Sequence, residues 1–216
     1  KYSDVIESYD TQWPGASAGS IVAALMACRV PLDESWGVIK KGHLIPGGRL
    51  SALRRLMGVM LCGKQFMYSG KKLEQQLYDV LRTRCIQAPV NITVETQKCK
   101  QLEIEYRPGY STRELVNATI ASASIPGVFK PRHIKNVGTC SDGGVHCPFP
   151  MDTIRKFAAA GPNLLIIMHA HPWLLGDEHI QTSNPLLRTI SDLQNMLQHY
   201  AMDSLRQVFD DIPFKD

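Results

Sequence analysis

From Ser20 the chain runs nine residues without a charge, Ser-Ile-Val-Ala-Ala-Leu-Met-Ala-Cys, before Arg29 and Pro31 interrupt it. A stretch this small and apolar predicts a buried helix over 20–28, stopped by the proline. A short strand over 9–13 is expected just ahead of it. Leu50, Leu53, Leu56, Met57, Met60 and Leu61 recur at helical spacing, with Arg54 and Arg55 on other faces, and predict a helix over 50–61. Residues 71–84 predict another amphipathic helix. Residues 90–96 and 101–106 alternate apolar with polar and carry β-branched side chains, so they predict strands.

Further along, Ser111-Thr112-Arg113-Glu114 has the form of a capping box opening a helix to about Ser124. Asp152 is expected to cap the next helix, which Gly161-Pro162 ends. Residues 164–168 are continuously apolar, as in a strand buried on both faces. Residues 186–209 predict a long amphipathic helix. Strands alternating with helices predict an α/β layer fold.

The 216 residues are enough for one domain with a real core, and one domain over 1–216 is the expectation. No apolar run approaches the roughly 20 residues of a membrane span. The six cysteines form no C-x-x-C pair and no zinc spacing, which points to reduced thiols, and neither metal nor cofactor is expected. Net charge is +4, but it is unevenly spread: residues 40–72 hold eight Lys or Arg and no acid, leaving 16 basic and 20 acidic residues elsewhere. Such a segment suits phosphates in general. No nucleic-acid motif or aromatic platform accompanies it, so no nucleic acid is expected, and contact with an anionic membrane surface is the better reading, carried by Arg54, Arg55, Lys71 and Lys72. A cytoplasmic or peripheral-membrane location is expected; because the chain starts without methionine, a missing N-terminus leaves secretion open. Oligomeric state is not legible.

The chemistry begins at Gly15-Ala16-Ser17-Ala18-Gly19. G-x-S-x-G places a serine on a sharp strand-to-helix turn, the nucleophile elbow, with Gly15 and Gly19 expected to be glycine because a side chain at either would meet crowded backbone. At a helix N-terminus the Ala18 N–H could receive a developing oxyanion. A serine also needs a base. Asp142, followed by Gly143 and Gly144 in a turn, is one candidate. The usual order of this motif, serine then acid then histidine, also admits His146, His169, His171, His179 or His199.

Three blocks in order resemble the patatin-like phospholipases: Gly15-Ala16-Ser17-Ala18-Gly19, the run Ala121-Ser122-Ala123-Ser124-Ile125-Pro126-Gly127-Val128-Phe129-Lys130-Pro131, and Asp142-Gly143-Gly144-Val145. The resemblance covers most of the chain, from about Tyr9 to Ala170. It implies a three-layer α/β/α sandwich with a mixed, mostly parallel central sheet, and a Ser17–Asp142 dyad that needs neither histidine nor metal. The implied activity is hydrolysis of a lipid ester through an acyl-serine intermediate, with the Ala121–Pro131 block supporting the site and neither Arg132 nor His133 catalytic. Two features depart from the family. Its glycine-rich oxyanion loop, G-G-G-x-R/K-G, has no counterpart in residues 1–14, so the chain is expected to lack its N-terminal strand and that loop. Pro148 also stands where the family often has asparagine. The missing loop supports an alternative, a catalytically weak lipid-binding or assembly module.

Overall fold

The structure, a computed structural model, describes residues 11–41, 65–98, 100–145, 149–160 and 203. The chain divides into two compact units, residues 1–146 and 147–216. In the first, the described elements are β1 (Trp13–Ala16), α1 (Ala18–Ala27), α2 (Leu32–Lys41), α3 (Lys71–Leu81), β2 (Val90–Thr96), β3 (Gln101–Tyr106), α4 (Thr112–Ser122), β4 (Arg132–Ile134) and β5 (Gly138–Asp142). In the second, α5 (Met151–Ala159) is described.

The strands form one mixed sheet in the order β1-β2-β5-β4, with β3 also on β2. β2 is its hub. One edge pairs along Val90–Glu95 with antiparallel β3. The other edge is shared: β1 runs parallel to it over Val90–Thr93, and β5 runs antiparallel over Val94–Thr96. The two strands therefore run toward each other along one edge of β2. Their ends, Ala16 opposite Thr93 and Asp142 opposite Val94, meet head to head.

The core is one cluster in which Val90, Ile92 and Val94 of β2 join Leu25 of α1, Leu77 and Leu81 of α3, and Leu115 and Ile120 of α4. α1 and α4 both carry small side chains at buried positions, Ala23, Ala24 and Ala27 on one and Ala118, Ala121 and Ser122 on the other. Small residues let two backbones approach closely, and the Ser20 hydroxyl of α1 reaches the Thr119 carbonyl of α4 at 3.2 Å.

Several expectations need correction. Among the described strand pairs only β1–β2 is parallel, so the described part of the sheet is mixed but not mostly parallel. The reason is connectivity: β2–β3 and β4–β5 are joined by short turns, which permit only antiparallel pairing. The described strand before the elbow is Trp13–Ala16, because pairing with β2 extends to the residue before Ser17; of the expected 9–13, Thr11 and Gln12 are not in a strand, and residues 9 and 10 lie outside the described residues. Ser111 precedes α4 but makes no side-chain capping bond. Pro150, not Asp152, is the N-cap of α5; Asp152 lies in the first turn, where the helix dipole favours its charge. The polar positions Asn91, Thr93 and Glu95 of β2 are buried as well as its apolar ones.

α2, β4 and β5 were not expected. α2 carries local signals nonetheless, with Pro31 at its entrance, Asp33 and Glu34 in its first turn and lysines at its end. The expected elements at 50–61, 164–168 and 186–209 lie outside the described residues, Asp203 excepted.

Candidate active site

β1 ends at Ala16 and α1 begins at Ala18, so Ser17 alone must turn the chain. It does so at φ 52°, ψ −127°, a left-handed φ that costs a non-glycine residue about 1–3 kcal/mol. Hydrogen bonds on both sides hold it there. The Ser17 N–H donates to Ser122 Oγ at 2.9 Å. The Ser17 carbonyl accepts from the N–H and the hydroxyl of Ser20, at 3.0 and 2.6 Å.

The two flanking glycines turn out to differ. A Cβ on Gly15 would lie 2.6 Å from the Gly19 carbonyl oxygen, whereas one on Gly19 would meet nothing within 4 Å. Gly15 is required by contact; Gly19 is not, because its Cα faces outward and only its backbone crowds Gly15.

Asp142 ends β5 where that strand meets β1, and this brings residues 125 apart in sequence into contact: Ser17 Oγ donates to Asp142 Oδ2 at 2.7 Å. The other carboxylate oxygen, Oδ1, accepts the Gly144 N–H at 2.7 Å. Gly143 between them lies so close to the Thr93 carbonyl that no Cβ fits, and the Gly143 carbonyl accepts from Gln101 Nε2 at 3.2 Å. A Cβ on Gly144 would come within 3.1 Å of Ser17 Cβ and 3.2 Å of Asp142 Oδ1. The two glycines thus let the turn fold back over the serine.

Asp142 is 2% exposed. Burial pushes its carboxyl up from an ordinary 3.8 to about 6, against the hydrogen bonds from Ser17 and Gly144, and the nearby charge of Glu95 adds to the rise. A carboxylate so placed is a stronger base than one in water and is still ionised at neutral pH. Ser17 Oγ can therefore hand its proton directly to Oδ2.

What the sequence did not reveal is how one helix end holds both groups. At the C-terminus of α4, the fully buried Ser122 accepts from Ser17 N–H and donates its own hydroxyl to the Thr93 carbonyl at 2.6 Å. Two residues on, the Ser124 carbonyl accepts the Asp142 N–H at 3.0 Å. The serines belong to the Ala121–Pro131 block, so the signal was present, but their partners are not local. Ser122→Ala leaves the Ser17 N–H without that acceptor. It should cost about 1–3 kcal/mol in a thermal or denaturant melt, and Ser122→Thr should recover part of it.

The other candidates are placed as follows. The Ala18 N–H lies in the first turn of α1, where no intrahelical acceptor exists, beside Ser17. Lys71 and Lys72 are exposed at the start of α3. Arg54, Arg55, His146, His169, His171, His179 and His199 lie outside the described residues. Arg132 pairs with Glu74 at 2.8 Å and donates to the Ser69 carbonyl, a role in packing. His133 is exposed, with its backbone carbonyl bound by Asn117 Nδ2 at 2.8 Å. Cys28, Cys85 and Cys140 are free thiols. Among the described residues no group of three or more His, Cys, Asp or Glu is arranged to hold a metal, and no helix is long and apolar enough to cross a membrane.

A sequence model described as patatin-like phospholipase matches residues 12–154, a span that includes the elbow, α4 and Asp142. No curated protein matches the chain.

Proposed function

This chain belongs to the patatin-like phospholipase family, and from that premise we propose that it is a lipid acyl hydrolase working through Ser17 and Asp142. What supports this reading above all is the 2.7 Å hydrogen bond from Ser17 Oγ to a carboxylate whose other oxygen is already held by backbone. The fold that goes with it is the three-layer α/β/α sandwich of the family, as one domain.

Asp142 Oδ2 takes the hydroxyl proton as Ser17 Oγ attacks the ester carbonyl. The carbonyl oxygen becomes an oxyanion, to which the Ala18 N–H and the positive end of α1 offer charge. Collapse of the tetrahedral intermediate breaks the ester bond, and the leaving alcohol receives the proton from Asp142. The acyl group now rests on Ser17. Water, deprotonated by the same carboxylate, attacks the acyl carbonyl; the bond to Ser17 Oγ breaks, Asp142 returns the proton to that oxygen, and the fatty acid is released.

Since Asp142 must be ionised to act, activity should fall as pH drops through about 6 and hold above it, because its carboxyl is pushed up to about 6. The check is kcat/KM for a short-chain ester against pH. An acid limb near the ordinary value of 3.8 would remove Asp142 as the base.

The lipid substrate lies in a surface, and the basic segment is suited to an anionic one. Each Lys or Arg near such a leaflet contributes about 1 kcal/mol, screened by salt. Replacing Arg54, Arg55, Lys71 and Lys72 by glutamine should weaken vesicle binding by about tenfold or more and slow hydrolysis on vesicles. Turnover of a soluble ester should be nearly unchanged. Binding that ignores both anionic lipid content and salt would deny the segment this role.

A further inference from the structure

We propose that α2 is the element that seats this protein on an anionic bilayer, with Leu32, Trp36 and Ile39 entering the headgroup boundary. These three side chains are 76%, 57% and 45% exposed. At about 100° per residue they fall within an arc of about 60° on one side of the helix. The core is served by a different line of the same helix, Ser35 and Val38, which are 7% and 6% exposed. The apolar arc therefore continues past what the core requires and out into solvent. One exposed leucine needs no explanation, but three large apolar groups on consecutive turns do.

The chemistry of the stripe selects the partner. Trp36 at its centre has an apolar body and a polar N–H, the combination that settles at a membrane–water interface. Lys40 Nζ lies 5.7 Å from the centroid of the Trp36 ring, putting a cation at the edge of the stripe. Lys40 also opens the segment 40–72, with its eight Lys or Arg and no acid. Of the two acids on α2, Glu34 is paired with Arg84. A second copy of the chain docked on the stripe would bring the Lys40 side chains of the two copies toward each other, which disfavours self-association. An anionic leaflet complements them. α2 has ten residues, about 15 Å of helix, so it can lie in the interface but cannot span it.

The choice of a lipid surface rests on the acyl hydrolase reading, so the test separates the two. Vesicle binding is measured by sedimentation in the Ser17→Ala background, where no lipid is consumed, on mixed phosphatidylcholine and phosphatidylglycerol vesicles. Leu32→Ser, Trp36→Ser and Ile39→Ser together should weaken binding by about tenfold or more. With Ser17 intact, the same triple change should leave soluble-ester turnover and melting temperature close to those of the parent. Brominated lipid should quench tryptophan emission in the parent, and the quenching should largely disappear in Trp36→Phe. Unchanged binding by the triple variant, or no quenching of Trp36, overturns the proposal. So does a lipid-free assembly that the triple change breaks into single chains, which would make the stripe a self-association face. Failure of the Ser17-intact protein to hydrolyse any ester would count against the hydrolase and leave the binding result standing.

Discussion

Ser17→Ala and Asp142→Asn should each lower ester hydrolysis by about 10⁴-fold or more, and the double variant should be scarcely worse than either. Non-additivity is the informative part. In the proposed mechanism the proton leaves Ser17 Oγ for Asp142 Oδ2 across one 2.7 Å hydrogen bond, so removing either end removes the same step. Substantial turnover in Asp142→Asn would shift the base to one of the histidines, with His169 and His171 tested first.

The asparagine variant carries a second expectation. Its amide can accept from Gly144 N–H through the oxygen and donate to Ser17 Oγ through the nitrogen, preserving the geometry. The native carboxylate is held at a cost, since burial raises its pKa from 3.8 to about 6. Well below 3.8 the carboxyl is protonated in both folded and unfolded chains and the cost is absent. It sets in as the unfolded chain ionises, and is complete above about 6, on the order of 3 kcal/mol. Asp142→Asn should therefore melt higher than the parent at pH 8, with the difference closing toward pH 4. A variant less stable than the parent at pH 8 would show that the ionised carboxylate stabilises the fold.

Gly143→Ala should be the most damaging glycine substitution in the site, at more than about 4 kcal/mol or with loss of soluble protein. Its Cβ would lie 2.5 Å from the Thr93 carbonyl carbon and 2.7 Å from the Val94 nitrogen, closer still to the Thr93 oxygen. Those atoms belong to β2, which is paired on both edges and cannot yield. Gly15→Ala should follow closely, with its contact at 2.6 Å on the Gly19 carbonyl oxygen. Gly144→Ala, whose nearest contacts are at 3.1 and 3.2 Å, should cost less. At Gly19 the order reverses: the space is open, and alanine in the first turn of α1 should hold or raise the melting temperature through its better helix propensity, worth up to about 1 kcal/mol. Equal losses at Gly15 and Gly19 in parallel melts would contradict this account.

The local patterns of this chain carry a good part of its structure. An uncharged run of small residues was enough for α1, helical spacing for α3, and alternation for β2 and β3, because each depends on residues a few positions apart. The G-x-S-x-G spacing likewise marks a strand-to-helix turn, since the turn is made by those five residues. β4 and β5 escaped because strands of three and five residues show too little periodicity to stand out. The partners within the site lie beyond local reach. That Asp142 faces Ser17 follows from β1 and β5 ending head to head on one edge of β2. That Ser122 and Ser124 hold the two groups follows from where α4 ends against that junction. The difference between Gly15 and Gly19, which look equivalent in sequence, is decided by which of them faces backbone. Sequence by itself determined which residues could do chemistry and which segments fold locally; the pairing register of the sheet, a contact between residues far apart along the chain, decided which of them meet.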